Sequence, residues 1–261
     1  MRRFLPVILA ILVPFCGGCG DQPAAELPAG YLVLAEARGD LGGGESTLVR
    51  LVGRAGPGEG PFREDFRLAV GRSSQLWPLP SACAAGYGPG LALVDVTGDG
   101  RPEAVDTADT GGSGGLVGAV VVAIAPDGGH WRCRSLFDNE SGVRPALTVV
   151  LVDGFTARLE IRAPGLPDRR EVLDLAGRRD RYLATGVYTE DGELAAPVAI
   201  WGDALMAVEP LRADAGGPGL RLVQQPRGAS NADRLAEVVT VLVWRERTWH
   251  AADVAVRPLE R

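Results

Sequence analysis

The sequence predicts an all-β, mainly antiparallel chain built from four-stranded blades in a β-propeller-like arrangement, with a β-sandwich as the alternative. Three observations point there. Apolar runs are only four to eight residues long and are punctuated by Gly, Pro and Asp-Gly. Helical periodicity is nearly absent, and 36 Gly with 19 Pro would break any extended helix. Finally, residues 91–96, 103–107, 117–125 and 130–137 read as four strands within the span of one propeller blade. An apolar fraction of 46% over 261 residues is enough to bury the core of one large domain or two small ones.

Residues 1–19 read as an export signal. Arg2 and Arg3 supply the positive end, and the apolar run Phe4–Phe15 is shorter than the roughly 20 residues a membrane span needs. The run ends in Cys16-Gly17-Gly18-Cys19, followed by Gly20 and Asp21. This resembles a bacterial lipobox, although Cys16 stands where an aliphatic residue is usual. Cys19 is then the expected lipidation site and mature N-terminus; plain secretion and an uncleaved anchor are the alternatives. Residues 20–29 form a short tether, and 30–261 a single β domain. The expected location is the outer face of the cell membrane, through that lipid, or the exterior. Once Cys16 leaves and Cys19 is lipidated, Cys83 and Cys133 remain, and export makes them an expected disulfide pair; two buried free thiols are the alternative.

The body reads as strands in order: Tyr31–Ala35, Thr47–Val52, Phe66–Val70, Leu91–Val94, Val117–Ala125 and Thr148–Val152. Three hairpins follow from their turns. Pro126-Asp127-Gly128-Gly129 joins Val120–Ala125 to Trp131–Phe137, Asp191-Gly192 follows Gly186–Tyr188, and Glu246-Arg247 joins Val238–Trp244 to Trp249–Val256. Segments 37–53 and 205–223 look like weaker copies of the opening of the blade that starts at Leu91. A single helical turn at most is expected, at the start of Asn231–Val239.

The sharpest motif is Asp95-Val96-Thr97-Gly98-Asp99-Gly100-Arg101-Pro102-Glu103. Oxygen-bearing side chains fall at loop positions 1, 3, 5 and 9, the Arg101 carbonyl at 7, and a turn-permitting glycine at 6. Such alternation lets a chain that doubles back offer calcium its hard oxygen ligands. Asp95, Thr97, Asp99, Arg101 and Glu103 are therefore the candidate Ca2+ ligands. The glycine-rich stretch after Asp109 cannot sustain the second helix of an EF-hand, so the loop is expected between strands. A polar β-turn without metal is the competing reading.

Asp95–Glu103 resembles the D-x-[NT]-x-D-G-x-x-[DE] loop of FG-GAP/VCBS repeats, the integrin-α-type propeller repeats. The chain is also similar to exported bacterial VCBS-like proteins through Gly86-Tyr87-Gly88-Pro89, Gly111–Gly115, Asn231-Ala232-Asp233 and Trp244/Trp249. That resemblance implies a calcium-stabilised propeller. Its first and third loops are worn down here to Asp40–Glu45 and Glu209–Asp214, which lack the ligand alternation.

Other chemistry is weakly signalled. Gly111-Gly112-Ser113-Gly114-Gly115 satisfies G-x-S-x-G, which makes a secreted serine hydrolase using Ser113 the alternative function. Yet a β-branched strand follows it instead of the helix that a nucleophile elbow needs. His130 and His250 are too few for a His-rich zinc site. The mixed-sign run from Arg169 through Arg181 reads as a solvated edge. Trp201, Trp244 and Trp249 read as strand packing before they read as a sugar platform. All 27 basic residues are arginine, which excludes Schiff-base lysine chemistry and a Walker lysine. The net charge of −6 argues against a nucleic-acid partner. The expected function is a non-catalytic, calcium-stabilised envelope or secreted module that binds a protein or polysaccharide.

Overall fold

Short amphipathic segments separated by positive-φ glycines can bury their apolar sides only by pairing into sheets, and the chain does so repeatedly. The computed structural model describes residues 26–58, 60–112, 114–141, 143–195, 205–212, 217–230 and 232–259. Within these, four antiparallel sheets form, each a meander of strands consecutive in sequence. Sheet one holds β1 (Leu32–Asp40), β2 (Ser46–Ala55), β3 (Arg63–Val70) and β4 (Leu76–Pro78). Sheet two holds β5 (Tyr87–Val94), β6 (Glu103–Asp109), β7 (Val117–Asp127) and β8 (His130–Asp138). Sheet three, of three strands, holds β9 (Ala146–Val152), β10 (Thr156–Arg162) and β11 (Arg169–Asp174). Sheet four holds β12 (Leu205–Leu211), β13 (Gly219–Gln224), β14 (Ala236–Arg245) and β15 (Thr248–Pro258).

The expected four-strand block is sheet two, and two of the three expected hairpins join full strands while the third is a short one. Gly128 and Gly129 take φ of 57° and 90° between β7 and β8. Glu246 and Arg247 take φ of 51° and 67° between β14 and β15. That geometry suits a tight hairpin but is unfavourable for residues with a Cβ. The long β14–β15 ladder, with Trp244 and Trp249 paired edge to face at 5.0 Å, holds the turn closed. Around Asp191-Gly192 a short hairpin closes around the Tyr188–Leu194 bridge, the Thr189 amide donating to the Glu193 carbonyl and the Ala195 amide to the Val187 carbonyl, each at 2.9 Å. The helical turn lies elsewhere than expected. A 3-10 turn at Ala176–Arg178 runs into α1 (Arg179–Ala184), while Ala236–Arg245 is strand. With six residues and one buried side chain, Tyr182, α1 is too short to show a period.

Three cores hold the sheets together, and their membership shows how the sheets are arranged. Val49, Leu51, Phe66 and Leu68 of sheet one meet Ala104, Val120, Val122 and Ile124 of sheet two. The opposite face of β7, with Ala119 and Val121, packs with Phe137 against Leu220, Leu222, Leu242 and Trp249 of sheet four. Ala236, Val238 and Val254 of sheet four then join Val149, Leu151, Leu159 and Ile161 of sheet three, together with Tyr182 of α1. Sheet two is therefore covered on both faces, which explains the unbroken buried run in the middle of β7.

This arrangement corrects the expected fold class. A propeller needs each blade to pack on the next and the last on the first. Here sheet two is followed in space by sheet four, and sheets one and three share no core among the described residues, so the sheets remain open. A sandwich is ruled out equally, because its two sheets enclose one core. The mostly antiparallel β character stands; the closure does not.

Leu222 is fully buried at the centre of the contact between sheets two and four. Leu222→Ala is expected to lower unfolding free energy by about 2–5 kcal/mol, read from the midpoint of a urea denaturation curve at unchanged slope.

Candidate functional site

The loop from Asp95 to Glu103 connects β5 to β6, and Val94 and Glu103 are cross-strand partners at its neck. Gly98 and Gly100, at φ of 78° and 86°, supply the left-handed backbone that the turn requires. Asp95 accepts the Gly98 amide at 2.6 Å on one oxygen and the Gly100 amide at 3.0 Å on the other. Asp99 accepts the Arg101 amide at 2.9 Å. Glu103 is buried and turned into the loop, where Oε2 accepts the Val96 amide at 3.0 Å and Oε1 the Thr97 hydroxyl at 3.0 Å. Burial pushes the Glu103 carboxyl above its ordinary range, against the lowering effect of the Val96 amide and Thr97 hydroxyl.

The structure thus brings all five predicted residues into one loop but gives them different tasks. Glu103 and Thr97 close the loop from inside, the half-buried Asp95 ties its turn with both oxygens, and Asp99 is exposed. Among the described residues no group of three or more His, Cys, Asp or Glu side chains is placed to hold a metal ion. Two neighbouring turns abut this loop. The Arg101 side chain lies over Gly42, whose turn is tied by Asp40 accepting the amides of Gly42, Gly43 and Gly44. Gly98 faces Pro218, where a Cβ would come within 2.8 Å of the ring.

Cys83 and Cys133 do not form the expected disulfide; both are free thiols. The Cys83 Sγ lies 2.8 Å from the Ala119 carbonyl and donates to it, while Cys133 sits on β8 opposite Ile124. Burial pushes each thiol up to about 12. The same apolar core holds both, so they behave as small hydrophobic side chains.

Ser113, the lipidation candidate Cys19, the signal segment 1–19, Trp201, Asp214 and Asn231 lie outside the described residues. Beside Ser113, the Gly114 carbonyl accepts from Arg227 at 2.6 Å, linking that loop to a turn 113 residues later. Among the described residues no helix is long and apolar enough to cross a membrane.

The sequence did not reveal the buried ionic network of the C-terminal half. Arg178 donates to Asp233 Oδ1 at 2.7 Å and, through its other terminal nitrogen, to the Leu259 carbonyl at 2.6 Å. Asp233 Oδ2 accepts from the Tyr182 hydroxyl at 2.5 Å and the Ala229 amide at 3.2 Å. Burial first, and then the Asp233 carboxylate, push the Tyr182 hydroxyl well above the usual phenol range. Only glycine fits at 228, since a Cβ there would lie 2.1 Å from Asp233 Oδ2. The solvated reading of the arginine run therefore fails at Arg178. Its neighbours in the run look alike in sequence, and its partner lies 55 residues away.

The outer face of sheet three is exposed and regular. β9 alternates strictly, with Leu147, Val149 and Leu151 inward and Ala146, Thr148 and Val150 outward. The register places Arg158 of β10 between Val150 and Val172, making one row across the sheet. Val150 is 50% and Val172 71% exposed. In the next row Glu160 stands between Thr148 and Arg170 and pairs with the arginine at 3.2 Å. Near β15 a shallow groove of about 210 Å3 is lined by Ile161, Leu166, Pro167, Arg169 and Asp253. It is bridged by the Arg169 guanidinium donating to the Val254 carbonyl at 2.6 Å.

Sheets three and four coincide with a segment that family comparison also singles out. Residues 145–257 match the YybI C-terminal domain. Over 219 residues the chain is 30% identical to the uncharacterized protein YybI of Bacillus subtilis (strain 168), covering 81% of this chain and 79% of that protein. The chain belongs to the YybI family. This overturns the VCBS/FG-GAP resemblance, whose specific residues were confined to the single loop Asp95–Glu103. In the YybI C-terminal domain of this chain, the Arg178–Asp233 pair ties the α1 region to the turn before β14 and to the end of β15.

Two outcomes test these sites. Asp233→Ala strands the Arg178 guanidinium in the interior and is expected to cost about 3–5 kcal/mol in a denaturant melt. Alkylation without reductant should label the Cys83 and Cys133 peptides fully in denaturant and only slowly in the native protein at pH 8. A non-reduced peptide map joining those two residues would contradict the free-thiol arrangement.

Proposed function

We propose that this YybI-family protein is a non-catalytic module of the cell envelope, tethered through Cys19, that binds a partner protein or polysaccharide on the outer face of sheet three. The row Val150–Arg158–Val172 carries this reading. Single exposed apolar residues are ordinary, but these two flank one guanidinium in a row of a sheet whose other face is core. A partner seated there would cover both valines and pair with Arg158, combining apolar area with a charged hydrogen-bond donor. Calcium enters as a weak contact at the Asp95 and Asp99 carboxylates, ordering the loop at millimolar concentrations. The exposure of Asp99 and the turn set by Asp95 support that part.

The test is capture of partners from envelope extract by the wild type and by a Val150→Glu, Val172→Glu double variant, each with and without EDTA. Such exposed substitutions are expected to change stability by no more than about 0.5 kcal/mol each. Loss of the captured partner in the variant supports the sheet-three face, and identical capture rejects it. A decrease in EDTA supports the calcium contact, and an unchanged yield removes it.

A further inference from the structure

Asp106 lies near the middle of β6 and is 1% exposed. Its side chain is on the face that carries Ala104 and Ala108 into the core between sheets one and two. Its cross-strand partners are Leu91 on β5 and Val120 on β7. Sheet one contributes Val49, Leu51, Phe66 and Leu68 to that same core, all apolar. From the 3-10 turn Ser81–Cys83 comes one titratable group, the Cys83 thiol, which the Asp106 charge reaches and which already donates to the Ala119 carbonyl. Asp138 acts on the same thiol, and the Cys133 thiol of β8 borders the same core. Among the described residues neither Asp106 oxygen has a hydrogen-bond partner.

A carboxylate so placed would be a buried charge without a partner, whereas a carboxylic acid is only a small polar group. We propose that Asp106 is a proton-operated latch on the seam between sheets one and two. The protonated acid keeps the seam shut, and loss of the proton loosens it. Burial alone raises the carboxyl well above its ordinary range, with no charged group offsetting it. The unfolded carboxyl titrates near 3.9, so the folded state holds its proton more tightly than the unfolded chain. Stability contributed by Asp106 is thus greatest at low pH and declines as pH rises above about 4. The folding constant falls about tenfold per pH unit until the folded carboxyl itself ionises.

The experiment compares wild type with Asp106→Asn from pH 4 to pH 9. Trp77 and Trp131 pack against this core, so their 19F resonances after 5-fluorotryptophan labelling report on the seam. The wild type is expected to lose folding constant relative to the variant by about tenfold per pH unit, and its two seam resonances to shift at high pH while the variant's stay fixed. Parallel behaviour of the two proteins overturns the latch. So does an alkaline shift that persists in Asp106→Asn and disappears in Cys83→Ala or Cys133→Ala, because a thiol would then be the titrating group. Should the variant fail to fold, the carboxyl 13C resonance of Asp106 in the wild type decides. Titration well above pH 4 supports the proposal, and titration near pH 4 overturns it.

Discussion

Burial of one face of sheet four against two different partners sets the rest of the architecture. Leu220, Leu222, Leu242 and Trp249 pack toward sheet two, while Ala236, Val238 and Val254 pack toward sheet three. Thr240 of β14 pairs with Leu222 on one side and Val254 on the other, so the two cores meet along neighbouring strands. Sheet four thereby occupies the place beside sheet two that the next sheet in sequence would take in a closed ring. The long β14–β15 ladder gives it the rigidity to serve both neighbours, and the Trp249 indole adds a hydrogen bond to the Leu136 carbonyl of sheet two.

Three buried carboxyls show how differently one residue class is used in this fold. Asp233 is fully matched by Arg178, Tyr182 and the Ala229 amide, and it joins a helical turn to the strands behind it. Glu103 has backbone amides and a hydroxyl for partners and shapes the β5–β6 loop. Asp106 has none among the described residues. A matched carboxylate inside a protein rigidifies its surroundings, and an unmatched one survives by keeping its proton. The position of each relative to backbone donors decides which case applies.

The sequence-visible loop illustrates the limits of a motif. Alternating Asp95, Thr97, Asp99 and Glu103 is compatible with ion ligation and with a loop capped by its own amides, because both need oxygens along a tight turn. The fold favours the second use for Glu103 and Thr97. The specific part of the VCBS/FG-GAP resemblance was that stretch alone, whereas family membership rests on 219 aligned residues.

What the sequence determined by itself was local: short amphipathic runs, the Gly128-Gly129 and Glu246-Arg247 turns, the four-strand meander of sheet two, and the absence of long helix among the described residues. Each depends on side-chain alternation or on φ preferences within a few residues, which the order of amino acids states directly. Tertiary structure alone decided that sheet four sits beside sheet two, that Arg178 is buried while its neighbours in the run are not, and that Cys83 bonds to Ala119 instead of to Cys133. Those outcomes depend on partners 36 to 55 residues apart or on which faces meet. No local pattern encodes them, because a β-strand's apolar side specifies that it will be covered and leaves open by what.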